Sequence, residues 1–137
     1  MSTNAKPFFD TNVLVYVLGE REGRTARAEE LLAAGGVVSV QVLNELVNVA
    51  RRTLGLSWAE VGDALEAVPV FCPEVVDITV ALHEAALRIA GRYGHGIDDA
   101  QIVAAAIEAG CPTLYSEGLQ DGQLIERRLT VRNPFPG

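Results

Sequence analysis

Apolar and polar positions follow two periods along this chain, and the changes between them mark out its elements. Phe8-Phe9 is a short apolar run behind Pro7, and proline is tolerated in a buried strand only at its start, so the run predicts the end of a first strand. Asp10 follows at the carboxyl end, and Thr11 or Asn12 is placed to cap a helix over 13–18. Past a charge-rich turn at 19–23, Thr25 caps a short helix through Leu31-Leu32, ended by Gly35-Gly36. A brief strand over 37–40 leads into 41–54, where apolar residues at 42, 43, 46, 47, 49, 50 and 54 keep a helical period. Arg51 and Arg52 in the last turn and Gly55 at C′ mark its end.

Ser57-Trp58-Ala59-Glu60 is a capping box opening a helix whose stripe is Trp58, Val61, Leu65 and Val68, closed by Pro69. A third strand is expected over 70–76, made irregular or edge-like by Pro73. Thr79 caps a helix over 80–92 with Leu82, Ala86 and Ile89 inward, followed by a glycine-rich loop at 91–96. Asp98-Asp99 opens an alanine-rich helix ending at Gly110; a fourth strand over 112–116, a polar loop over 117–123, a last strand over 129–132 and a tail complete the chain. Strands alternating with helices imply a parallel sheet covered on both faces. The pattern does not fix the strand order. With no repeat or linker, residues 1–137 are expected to form a single domain.

Composition narrows this picture. A chain of 137 residues, 49% hydrophobic with a mean hydropathy of +0.21, can bury a real core without staples. No apolar run approaches a membrane span, and Met1 to Lys6 lacks a signal peptide's apolar core, so a cytosolic location is expected. Cys72 and Cys111 are isolated, and read as small buried hydrophobes in a reducing compartment. The net charge of −7 argues against a general polyanion binder, but not against an enzyme whose acids lie under metal ions. The arginines cluster at Arg21, Arg24 and Arg27, at Arg51 and Arg52, and at Arg127, Arg128 and Arg132, and read mainly as helix-end charges and solvated faces.

Several acids belong to the edge where strands end and helices begin, which is where ligands bind in open α/β sheets. Asp10 ends the first strand; Glu45 lies early in the helix after the second, among Val42, Leu43, Leu46 and Val47; Asp99 starts the helix before the fourth; Glu117 follows that strand. Carboxylates gathered in one cleft repel unless a cation intervenes. Mg²⁺ suits oxygen ligands, keeps several waters and activates water for phosphodiester hydrolysis. Thr11 and Asn12 are placed to orient such waters. The alternative is scattered surface acids and caps. Asp98 and Asp99 point about 100° apart, so one is expected to be the N-cap, and spacing does not say which. The 91–96 glycines follow a helix in the wrong order for a dinucleotide fingerprint. Asp10-Thr11-Asn12 lacks the second Asp of an aspartyl-phosphate phosphatase. His83 and His95 read as a surface helix residue and a polar loop residue, and Trp58 and Tyr16 as core or dimer interface.

Three segments carry a resemblance: Phe8-Phe9-Asp10-Thr11-Asn12-Val13-Leu14, Gln41-Val42-Leu43-Asn44-Glu45-Leu46, and Asp99-Ala100-Gln101-Ile102-Val103-Ala104-Ala105-Ala106. With Cys111 to Glu117, Gln120-Asp121-Gly122 and Asn133-Pro134-Phe135 in the same order, the chain resembles the PIN-domain family, and within it the VapC-like toxins of toxin–antitoxin pairs. The resemblance implies a three-layer α/β/α sandwich with a central parallel sheet. It also implies Mg²⁺- or Mn²⁺-dependent endoribonuclease activity on RNA, homodimerisation and inhibition by a small antitoxin. By that match Asp10, Glu45 and Asp99 are the catalytic and metal-binding acids, Asp98 is the cap, and Ser116 is the residue ending the fourth strand. One position departs: where the family carries an Asp two residues after Ser116, this chain has Gly118, with Glu117 and Asp121 as neighbouring acids that could substitute. That departure leaves one versus two metals open. It also favours a rival reading, a catalytically weak PIN module that binds RNA or a protein; a third reading keeps the nuclease but makes DNA its substrate.

Overall fold

A computed structural model describes residues 6–19 and 23–135; residues 1–5, Arg21 of the first arginine cluster and the last two residues of the tail lie outside them. Phe8 and Phe9 point to opposite faces of a strand and neither is exposed, as are Val37 and Val38 one strand over. Strands buried on both faces need helices on both, and the chain supplies them. Its elements are β1 (Phe8–Phe9), α1 (Thr11–Gly19), α2 (Thr25–Ala33), β2 (Val37–Ser39), α3 (Val40–Arg52), α4 (Trp58–Phe71), β3 (Glu74–Val76), α5 (Val80–Tyr93), α6 (Ile97–Glu108), β4 (Thr113–Tyr115), β5 (Leu124–Ile125) and β6 (Leu129–Arg132). They build the expected α/β/α sandwich.

The sheet order is β3-β2-β1-β4-β6-β5, parallel throughout except for β5 against β6. From β1 the chain winds outward through β2 and β3 on one side, then returns to β4 on the other. The carboxyl ends of β1 and β4 therefore flank the point where the winding reverses, a crevice rather than a flush edge. The ladder continues one residue beyond β1: the Asp10 N–H donates to the Tyr115 carbonyl at 3.0 Å. Gly36 lets β2 start close beside β1, since a Cβ there would lie 2.3 Å from the Phe9 ring and 2.7 Å from the Pro7 carbonyl oxygen.

Local chemistry moved several boundaries. Ser39, the last residue of β2, is also the N-cap of α3, its Oγ accepting from the Val42 N–H at 3.3 Å, so Val40 belongs to the helix and not to the strand. The Ser57–Glu60 capping box and the Thr79 cap form as read. Thr25 does not cap: its hydroxyl donates to the Tyr16 carbonyl at 2.7 Å, and Arg24 takes the N-cap position. Pro69 does not close α4. Lacking only one intrahelical donor near the C-terminal end, the helix runs on to Phe71 and is ended by the Cys72 N–H on the Val68 carbonyl. The third strand therefore shrinks to 74–76.

Trp58 is not in the core; it is 65% exposed, with the Arg51 guanidinium carbon 4.5 Å above its ring. Helix α5 absorbs 91–93 and ends at Gly94, whose φ of 75° is the left-handed conformation of a C-terminal glycine. The short antiparallel β5 has no alternation long enough to announce it. It is joined to β6 by a turn with Glu126 and Arg127 at φ of 52° and 54°, where the Tyr93 hydroxyl accepts the Glu126 N–H at 2.9 Å. Cys72 and Cys111 are buried as expected, and burial pushes their thiols up to about 11 and about 12.

Candidate functional site

The reversal point of the sheet opens into a cleft of about 580 Å³. Asp10, Glu45, Asp98 and Asp99 all line it, together with Thr11, Asn12, Tyr16 and Gly118. The three acids singled out from the sequence thus arrive together from β1, α3 and α6.

Asp10 is the centre of the arrangement. It is only 6% exposed, and its two oxygens are held separately: the Thr11 N–H donates to Oδ1 at 2.7 Å, and the Ser116 hydroxyl to Oδ2 at 2.7 Å. Ser116 is itself positioned from the other side, its Oγ accepting the N–H groups of Gly118 and Leu119 at 3.1 and 3.3 Å. Burial pushes the Asp10 carboxyl above its ordinary value of 3.8; the Ser116 and Thr11 hydrogen bonds oppose that, and the charges of Glu45 and Asp99 add to it. A buried carboxylate with two acidic neighbours is short of positive charge.

Thr11 does not cap α1; it is the first residue of that helix, and the carboxylate in front of it is Asp10. Its hydroxyl, 7% exposed as a residue, donates instead to Glu45 Oε1 at 2.8 Å. Gln41, one turn before Glu45 on α3, donates from Nε2 to Oε2 at 3.0 Å. Glu45 is therefore clamped from two sides, which is how an acid is accommodated in so apolar a stretch. The i,i+4 spacing of Gln41 and Glu45 on one helix is the sequence signal for this contact. Asn12 accepts the Glu117 N–H on its Oδ1 at 3.4 Å, tying α1 to the segment after β4.

Asp98 is not the cap of α6. Gly96 occupies the N-cap position with no side-chain cap bond, which places both Asp98 and Asp99 in the first turn. The two neighbouring acids that could substitute at position 118 are engaged elsewhere. The Glu117 carboxylate accepts the Tyr16 hydroxyl and pairs with the Arg24 guanidinium, which also stacks 5.3 Å from the Tyr16 ring and 5.7 Å from that of Phe135. Asp121 accepts the Asn133 N–H on Oδ1 at 2.9 Å, closing its own loop. Arg24 is thus a latch rather than a solvated charge, through contacts with residues too distant in sequence to foresee. Tyr16 is buried, as read, but its hydroxyl faces this network. His95 stacks on Tyr93 with centroids 6.1 Å apart and does not line the cleft.

Among the described residues, no three acidic, histidine or cysteine side chains converge closely enough to hold one ion unaided. The donor set nevertheless fits a hard divalent cation. All the candidate ligands are carboxylate oxygens, the cleft is roomy, and such an ion keeps several waters while taking one or two carboxylates directly. The uncompensated charge at Asp10 is what such an ion would neutralise.

Comparison with known proteins agrees with the geometry. The PIN-domain profile matches residues 8–119. No curated protein sequence gives a significant match. Among solved structures, the chain superposes on a toxin–antitoxin complex from Klebsiella pneumoniae with a TM-score of 0.72 and 20% identity, covering 96% of this chain and 98% of that one. It superposes on VapBC2 from Rickettsia felis, bound to a DNA fragment from its promoter, with a TM-score of 0.66 and 20% identity, over 92% and 96% of the two chains. The sarcin–ricin-loop-cleaving toxin VapC20 from Mycobacterium tuberculosis gives a TM-score of 0.64 and 22% identity over 80% and 88%.

Proposed function

The chain belongs to the PIN-domain family, and from that membership and the acidic cleft we propose that it is a metal-dependent endoribonuclease, the toxin of a toxin–antitoxin pair. The observation that carries the reading is the convergence of Asp10, Glu45 and Asp99, from three separate elements, on one cleft at the reversal of the sheet. Asp10, Glu45 and Asp99 would hold Mg²⁺ or Mn²⁺, with Asp10 the innermost. When bound, such an ion supplies an activated water and neutralises charge developing on the phosphodiester.

The chain's own residues do the positioning. Ser116 and the Thr11 N–H fix the two Asp10 oxygens, which orients the carboxylate and offsets part of the cost of its burial. Thr11 and Gln41 fix Glu45 in the same way, and Thr11 couples it to the Asp10 segment. Tyr16 and Arg24 fix the Glu117 carboxylate in place. Similarity to solved toxin–antitoxin complexes supports an antitoxin as protein partner; homodimerisation and a cytoplasmic site of action belong to the proposal through the family resemblance alone. No helix among the described residues is long and apolar enough to cross a membrane.

The test is cleavage of a structured RNA, with a DNA panel in parallel, in Mg²⁺, in Mn²⁺ and in EDTA. Asp10→Asn is expected to abolish metal-dependent cleavage while the protein stays folded by circular dichroism. Cleavage by that variant at the parent's rate would refute the site. A second reading, a PIN module that binds RNA or a protein without cutting, is favoured by one observation: Gly118 lines the cleft and brings no carboxylate to it. Equal RNA affinity with and without Mg²⁺, and no products, would establish it.

A further inference from the structure

Helix α3 carries the cleft beyond its acids. Glu45 is followed one turn later by Asn48 and Val49, and all three line the cavity. Arg52 comes one turn later again, on the same stripe of the helix and about 10 Å from Glu45 along its axis. Arg51 is directed about 100° away from it. Its Nη1 donates to the Leu56 carbonyl at 2.9 Å, and its guanidinium carbon lies 4.5 Å from the centroid of the Trp58 ring. Trp58 opens α4 and is 65% exposed, so the greater part of the indole stays open to solvent beside the stacked arginine. Neither arginine is paired with an acid among the described residues. Glu60, the acid nearest to Trp58 in sequence, is turned back onto the Ser57 N–H. In a chain of net charge −7, two uncompensated guanidiniums beside an open indole are an exception to the prevailing charge.

We propose that Arg52 and the Arg51–Trp58 pair form a platform for single-stranded RNA that continues the cleft along α3. Arg52 takes a backbone phosphate, and a base stacks on the open part of the indole. The proposal rests on the nuclease reading above. A guanidinium meets a phosphate with two parallel donors, and an aromatic face accepts any base, so the platform adds affinity without sequence preference. The bond from Arg51 to Leu56 fixes the pair before RNA arrives, which lowers the ordering cost of binding. Charge and continuity with the cleft favour RNA over a protein partner. The other exposed large apolar residues of α4, Val70 and Phe71, lie at its far end, so Trp58 stands alone between cations and not in an apolar patch. Arginines that only complemented the C-terminal end of α3 would act on helix stability and not on RNA affinity.

The experiment is single-turnover cleavage of an end-labelled single-stranded RNA in Mn²⁺ over a range of protein concentrations, so that half-saturation and limiting rate are read separately. Thermal melting of each variant is the folding control. Arg52→Gln and Trp58→Leu are each expected to raise the half-saturating concentration about tenfold while the limiting rate holds. Trp58→Phe, which keeps an aromatic face, is expected to stay close to the parent. Arg52→Gln should also reduce the log–log salt slope of half-saturation by about one. Parent-like half-saturation in Arg52→Gln and Trp58→Leu, even with antitoxin binding weakened, overturns the platform and leaves the nuclease reading standing. A lower limiting rate at unchanged half-saturation overturns it too. If the parent cuts nothing, the nuclease reading falls, and a gel shift of the same RNA in Mg²⁺ decides the platform separately: weaker retention by both variants upholds it, and equal retention overturns it.

Discussion

At the scale of single residues, Asp10 and Thr11 divide the labour of the site. Asp10 is buried beside two other acids, so its carboxyl titrates above 3.8 in the folded protein. The metal-free native state then holds its proton to higher pH than the unfolded chain does, and stability is lost as pH rises through the folded value. Asp10→Asn removes that penalty. At pH 7 without metal the variant is expected to melt above the parent, with the gap closing as pH falls towards 3.8; added Mn²⁺ should raise the parent's melting temperature and not the variant's. Scanning calorimetry over pH 4 to 7 checks both. Thr11 bonds Glu45 through a hydroxyl that a valine of the same shape lacks. Thr11→Val should therefore keep the fold and lower the cleavage rate about 10- to 100-fold, with single-turnover kinetics as the measure. Glu45 was legible at this scale because a carboxylate within an apolar stretch must be partnered or solvated, and Asp10 because it stands at the carboxyl end of a strand, the edge where ligands bind in open α/β sheets. Arg24 was not, because its partners Glu117 and Phe135 come near it only once the chain has folded.

The elements were legible in proportion to the strength of their end signals. The Ser57 and Thr79 caps are where the spacing put them, since a side chain bonding its own helix terminus is a local event. Pro69 misled for the complementary reason: within the last turn a proline costs one hydrogen bond, which the rest of α4 can bear. Close packing between strands is equally local in cause and wider in effect. Gly36 sits against the Phe9 ring and the Pro7 carbonyl, and neither neighbour is free to move, one being core and the other backbone. Gly36→Ala is therefore expected to destabilise the protein by about 1–3 kcal/mol, visible as a lower urea midpoint. Because the displaced strand is the one that ends in Asp10, metal affinity should fall with it.

For the whole molecule, charge and topology act together. A net charge of −7, with four acids on the cleft, sets the protein against a polyanion until cations intervene. RNA is expected not to be retained by the parent in EDTA in a gel-shift assay, and Asp10→Asn should not gain affinity on adding Mg²⁺ as far as the parent does. The class of fold was determined by sequence alone, because helical and strand periods are written in consecutive residues and two-sided burial shows as unbroken apolar runs. Asp10 and Glu45 were readable there as candidate acids, whereas Asp99 was separated from Asp98 only by the family resemblance. Only the tertiary structure decided which of those acids meet. The sheet order β3-β2-β1-β4 sets the ends of β1 and β4 side by side, bringing Ser116 onto Asp10 across 106 positions of sequence. It also decided that the Glu117 carboxylate is taken up by Tyr16 and Arg24. Such outcomes depend on contacts between distant segments, whose free energy exists only after the chain has closed on itself.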